Sequence, residues 1–400
     1  MEQNQRSVDK TAETQVFFYI VHSIYICYNV KQRFYLGGSD MITSSSQKKI
    51  SLFLLFLTII TVLEGVCMWL ASYFHKTVSI FGFIHMMIPI TVTFLVFLTL
   101  SDKHASFPKY VCKAIFASDI LMILWAVLEI LIPSLSQFEI LLVIICTVIF
   151  YLSLFFEPAD IREQYGFSLK NSSKIIKHIF FYLLLFFILY SVFVFIRILF
   201  DYFGGNHSAI TSFLKAYYKL PKELSILIPF SLLILLPYLG EEYGWRGALQ
   251  PWMQKQFGMK RGIILTGLIW GIWHFPYFLY QLQFSCEFSS FFFIMTSQIF
   301  FCISIGIFLG YVYLKTKNIW ICVAIHFINN NFLSLSYSSS SDSFSILILQ
   351  TAAVIFASLF LYAPFLHSKI FRNKKIIDSF VLPQEIMKSS HNDLEHKNSE

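Results

Sequence analysis

"LLILLPYLGEEYGWRGALQPW", residues 232–252, sets an arginine and two adjacent carboxylates inside an apolar run. The flanking residues are as hydrophobic as lipid. Glu241, Glu242 and Arg246 therefore stand where a charge costs roughly 2.5–3.5 kcal/mol on membrane-insertion scales. The rest of the chain agrees with a membrane setting. Of its 400 residues 56% are hydrophobic, 13% are charged and 46 are Phe. Soluble domains carry roughly 25% charged residues, so this chain is short of polar surface for water.

Apolar runs of about 18 residues or more, long enough to cross a hydrocarbon core, recur along the sequence. They are too long and too uniformly apolar for barrel strands. The expected fold class is all-α, a polytopic transmembrane helical bundle. About ten spans are read at 50–74, 78–100, 110–132, 138–156, 178–203, 224–250, 262–282, 290–314, 319–337 and 344–367. Lys48, Lys49, Lys103, Lys109, Arg162 and Lys170, then further clusters around Lys260, Lys315 and Lys369, all fall on one side of this parse. That side is expected to be cytoplasmic, with both termini there.

The net charge of +7 is a topology signal in short loops and implies no nucleic-acid partner. The seven cysteines are odd in number, show no CxxC spacing and read as small apolar residues. Nothing in the sequence speaks to an oligomeric state. Gln15–Val30 is expected to be a weak extra span or to lie upstream of a true start at Met41. The chain from 376 onward is expected to be a polar tail, and Ser336–Ser345 a flexible connector. The expected organisation is a lead over 1–47, accessory helices over 48–164, a catalytic core over 165–337, a last span over 338–367 and a tail over 368–400.

Residues on a helix advance about 100° each. Glu242 and Arg246 stand at i and i+4, placed to pair, whereas Glu241 points elsewhere with no helical partner of its own. Gly240, Gly244 and Gly247 form a stripe that admits a close neighbour, and Pro237 predicts a kink. In "GLIWGIWHFPYF" His274 shares a face with Gly267 and Gly271, with Trp270 one turn earlier and Pro276 just beyond. Trp270 and Trp273 read as packing residues. In "AIHFINNNF" His326 and Asn330 stand at i and i+4. Glu241, His274 and His326 fall about nine, twelve and seven residues from the cytoplasmic ends of their spans, a similar depth. Glu64, Asp119, Glu129 and Arg197, each taken alone, read as structural.

A carboxylate beside an imidazole can hold a water and remove its proton. A second histidine and an asparagine can donate to the oxyanion formed on an attacked amide. The set lacks a nucleophilic Ser; Cys322, one turn before His326, has no orienting partner. Two His and one Glu can alternatively bind a divalent metal, with Glu241, His274 and His326 as candidate zinc ligands. A proton-coupled transporter is the alternative from another class.

The ordered motifs, E-E-x-x-x-R at Glu241, Glu242 and Arg246, an aromatic one turn before a histidine at Trp270 and His274, and H-x-x-x-N at His326 and Asn330, resemble the CPBP family. These are CAAX-processing and bacteriocin-processing intramembrane proteases, also called the Abi family. The resemblance covers about residues 165–337, including the basic lead "YGFSLKNSSKIIKHIFFYLLLFF" at 165–187, and is strongest over 238–331. It implies an endopeptidase of CAAX prenyl protease type with a membrane-bound or lipidated protein or peptide as substrate. Glu241 and His274 would activate water. His326 and Asn330 would support the oxyanion or, in the metalloprotease reading, help hold a metal. Glu242 and Arg246 would brace the site. The family usually has Phe where Trp270 stands, and this chain carries four or five extra spans before the core. For bacterial members the family implies bacteriocin self-immunity, bacteriocin maturation or envelope regulation. The Phe/Ile/Ser/Lys-rich composition suggests an AT-rich bacterial genome, and the expected location is a bacterial plasma membrane. A catalytically idle scaffold of the same family is a further alternative.

Overall fold

The computed structural model describes residues 45–100, 107–168, 172–282, 287–336 and 344–373. The expected weak span at Gln15–Val30, the start at Met41 and the tail from 376 lie outside the described residues, as does most of the 336–345 connector. The described chain is all helix: α1 (Ser45–Tyr73), α2 (Phe81–Leu100), α3 (Lys109–Leu131), α4 (Glu139–Phe156), the short α5 (Ala159–Gln164), α6 (Ser172–Phe203), α7 (Ser208–Ser231), α8 (Leu235–Glu242), α9 (Gln250–Phe257), α10 (Met259–Trp273), α11 (Phe275–Gln281), α12 (Phe288–Thr316), α13 (Ile319–Ser336) and α14 (Phe344–Tyr362). Among the described residues 8 helical segments are long and apolar enough to cross a membrane, or 9 if one bent pair is a single span. Their outward faces carry large apolar side chains such as Phe155, Phe180 and Phe203, as lipid contact requires. The protein is an integral membrane protein, and its buried interior holds the polar groups.

The bent pair is the stretch that opened the reading. Pro221–Ser231 and Leu235–Phe257 meet at 77°, so the single span expected over 224–250 is broken. The break falls at residues 232–234, upstream of Pro237. Pro237 sits in the first turn of α8, where its missing N–H would have no intrahelical partner anyway. The proline therefore opens a helix here and does not kink one. Beyond Glu242 the chain widens into a π-helical turn, Tyr243–Leu249, in which the Gln250 N–H reaches back to the Trp245 carbonyl.

The helices expected to be accessory pack directly on the motif-bearing ones: α2 lies along α8 and the π-helical turn, and α1 lies against α9 and α11. The glycine stripe makes this possible. A Cβ on Gly240 would stand 2.6 Å from the Met86 carbonyl oxygen, and one on Gly244 would collide with Pro89 of α2. On the other side α10 runs along α12, with Gly267 and Gly271 set against the backbone at Ile303 and Ile299. Helix α13 packs against α8 and α6. The three motifs thus meet in the centre of the bundle.

A methyl group at Gly244 meets backbone that cannot move aside, so Gly244→Ala is expected to lower stability by about 1–3 kcal/mol. Gly247→Ala meets only its own Tyr243 ring at 3.4 Å and should leave the thermal midpoint in detergent micelles unchanged. Equal midpoints for the two variants would contradict this packing.

Candidate active site

Three separate elements supply the site. The end of α8 and the π-helical turn bring Glu241, Glu242, Trp245 and Arg246; the end of α10 brings Trp270 and His274; α13 brings His326, Asn329 and Asn330. Glu241, Glu242, Arg246 and His326 are each no more than 2% exposed.

Glu242 Oε1 takes two bonds, one from Arg246 Nη1 at 3.0 Å and one from His326 Nδ1 at 2.8 Å. These charge-assisted contacts are short, and they neutralise a carboxylate that lipid would not solvate. The Arg246 guanidinium also lies over the Trp270 ring, 4.3 Å from its centre, a cation–π contact that occupies its flat face.

Glu241 is held differently. Its Oε2 accepts from the Trp270 indole N–H at 2.7 Å and from the Trp245 indole N–H at 3.3 Å. The expectation that Glu241 has no helical partner is corrected here: Trp245, one turn on, provides one. The reading of Trp270 as packing alone is corrected too, because an indole N–H buried beside a carboxylate is a donor. Glu241 Oε1 stands 4.0 Å from His326 Nε2, wider than a direct hydrogen bond. The carboxylate is thereby tethered through one oxygen and open through the other.

His274 sits at the junction between α10 and α11, where Pro276 cannot continue the hydrogen-bond ladder. Its Nδ1 lies 2.8 Å from the Trp270 carbonyl oxygen. A carbonyl can only accept, so Nδ1 carries the proton and Nε2 is left with its lone pair. The ring packs edge-on to Trp273, and Glu241 is within electrostatic range. Asn330 lies on the exposed side of α13, its Oδ1 accepting from Asn329 Nδ2 at 3.0 Å. Among the described residues no hydrogen bond joins Asn330 to Glu241, His274 or His326. Asn331 donates to Tyr238 Oη at 3.0 Å, and the Tyr238 ring meets His326 edge-on.

Among the described residues no three His, Cys, Asp or Glu side chains are grouped to hold a metal. The bonds described leave Glu241 Oε1, His274 Nε2 and His326 Nε2 over, and a metal-bound histidine commonly donates its other ring N–H as His326 does to Glu242 and His274 to the Trp270 carbonyl.

Three of the four residues read as structural have clear partners; for Arg197 the Nε is buried without one among the described residues. Glu129 accepts from the Ser79 N–H and hydroxyl and from the Ile80 N–H, capping the start of α2. Asp119 accepts from the Thr91 hydroxyl at 2.7 Å. Glu64 pairs with His85 Nδ1 at 2.6 Å, beside His274 and outside every motif.

Removing one partner from a buried ion pair leaves an uncompensated charge, at a cost of about 3–5 kcal/mol. Arg246→Ala is therefore expected to abolish recovery of folded protein. The double variant Arg246→Ala/Glu242→Ala, which removes both charges, should recover part of the lost stability, as measured by thermal unfolding in micelles.

Residues 223–332 match the family model described as Type II CAAX prenyl endopeptidase Rce1-like. The chain is also similar to a CAAX prenyl protease 2 of Methanococcus maripaludis, 27% identical over 133 residues, covering 32% of this chain and 49% of that protein. The chain thus spans about half the length of this relative. The matched segment contains the carboxylate pair, both histidines and Asn330. This motif-bearing core of the chain thus matches the Rce1-like CAAX prenyl endopeptidases of the CPBP family.

Proposed function

We propose that the protein is an intramembrane endopeptidase of CAAX prenyl protease type, hydrolysing a peptide bond in a membrane-associated or lipidated protein near the cytoplasmic face. The observation that carries this reading is the state of Glu241. Two indoles fix one of its oxygens, while the other faces an imidazole nitrogen across 4.0 Å. A gap of that width between two hydrogen-bonding atoms admits a bridging water.

In the proposed reaction Glu241 Oε1 takes a proton from that water as its oxygen attacks the peptide carbonyl carbon. His274 accepts the water's other proton in a hydrogen bond through Nε2 and so aims the oxygen lone pair. As the new C–O bond forms, the carbonyl electron pair moves onto oxygen. The Asn330 amide donates to that oxyanion, and His326, with its Nδ1–H on Glu242, supports it through a second ring proton carried at Nε2. The C–N bond then breaks, and the amine leaves with the proton held by Glu241. Glu242 and Arg246 keep their charges paired throughout and hold His326 in place. The Lys-rich loops, which fall on one side of the ten-span parse, support a cytoplasmic placement of both termini, and a bacterial plasma membrane is the proposed location.

Glu241→Gln keeps the shape and the indole contacts but removes the base. It is expected to lower cleavage by about a hundredfold or more while the protein still folds. Proteomic comparison of membrane peptides from cells carrying wild type or Glu241→Gln should show a substrate that accumulates uncut in the variant. If Glu241→Gln and His274→Ala complement a deletion as well as wild type does, the protein is a scaffold. pH-gradient-dependent uptake into vesicles without cleavage would make it a transporter.

A further inference from the structure

A second Glu–His pair lies beside the proposed centre. It comes from α1 and α2, which precede the matched segment. Glu64 is buried in α1 and His85, 2% exposed, in α2. Glu64 Oε2 stands 2.6 Å from His85 Nδ1. The imidazole lies flat on the Trp273 indole, with ring centres 3.8 Å apart and planes 9° apart. Trp273 is fixed in turn, because its N–H donates to Thr61 Oγ1 at 3.1 Å, one turn before Glu64. The His85 ring also stacks with Tyr277 of α11.

The placement of these helices is enforced by close approach. Gly65 faces Pro276 and Gly82 faces the Tyr277 hydroxyl, each with no room for a freely placed side chain. Tyr280 of α11 bonds both the N–H and the carbonyl of Val78, just ahead of α2. The helix pair is therefore locked to the segment that carries His274.

What the packing leaves over is His85 Nε2. It is buried and, among the described residues, has no hydrogen-bond partner. A buried ring nitrogen without a partner is costly, and native interiors fill such a position with ordered water. The His274 ring stands next to that of His85, with ring centres 6.0 Å apart and planes tilted by 60°. We propose that Glu64 and His85 are a positioning pair of the reaction centre, holding through His85 Nε2 an ordered water beside the His274 ring. That water donates one proton to His85 Nε2 and the other to the oxygen of the catalytic water on His274 Nε2, and it supplies solvent to an enclosed site. Glu64 fixes the tautomer of His85; Trp273 fixes its plane.

Two measurements on the full-length protein in lipid nanodiscs test this. The first is independent of activity. With ¹⁵N-labelled histidine, magnetisation transfer from water to ring nitrogen is expected at His85 Nε2. In His85→Phe, which keeps a flat ring on Trp273 but has no nitrogen, the transfer from the catalytic water to His274 Nε2 should weaken. No transfer at His85 Nε2 in the wild type overturns the proposal.

The second measurement rests on the endopeptidase reading and uses a farnesylated CaaX peptide with an internal quencher. His85→Phe is expected to lower kcat by about tenfold or more with KM within about threefold. Glu64→Gln, which keeps an acceptor for the His85 Nδ1–H, should lose less than Glu64→Leu. Wild-type kcat in His85→Phe, or a rise in KM alone, overturns the assignment. Wild-type protein that leaves the peptide intact counts against the endopeptidase reading on that probe, and the nitrogen measurement then decides the water by itself.

Discussion

Everything in the centre of this bundle depends on Glu242 being neutralised. A carboxylate that is fully buried within an apolar bundle has no bulk water to solvate it, so it must find its hydrogen-bonding partners within the protein. It finds two, Arg246 one turn on and His326 from another helix. The second contact ties α13 to α8. The first holds the guanidinium flat against Trp270, and that indole in turn donates to Glu241. A single electrostatic requirement therefore aligns three helices and aims the neighbouring carboxylate.

The adjacency of the two glutamates gains its meaning from this arrangement. One is paired through one oxygen with a guanidinium and an imidazole, the other is held by neutral indole donors. A carboxylate held by neutral donors keeps its negative charge available to a proton. Two carboxylates in one backbone stretch thus acquire different chemistry from their surroundings alone.

Much of this was legible in the sequence. Long apolar runs gave the helical membrane class, and the i, i+4 spacing of Glu242 and Arg246 gave their ion pair, because both follow from local periodicity. Shared depth and family pattern brought His326 toward Glu241, but its bond to Glu242 was not readable, since no local rule relates residues 84 positions apart. Three further features stayed hidden. The break at residues 232–234 carries no glycine, and the proline that suggested a kink lies just beyond it. Trp245 looks like core until the turn that presents its N–H is seen. Glu64 and His85 are lone polar residues in separate spans, and only tertiary packing brings them together.

The wide turn at Tyr243–Leu249 also has a bearing on how this segment can vary. A π-helical turn amounts to an α-helix with one residue inserted, and it shifts the phase of all that follows by roughly 100°. Upstream of it lie Glu241 and Glu242; within it lie Trp245 and Arg246; downstream, Gln250 and Trp252 are buried. Excising one residue would restore regular winding and swing the downstream face away from α1. Side chains here can be exchanged one at a time, but the segment's length is held by the register on both sides.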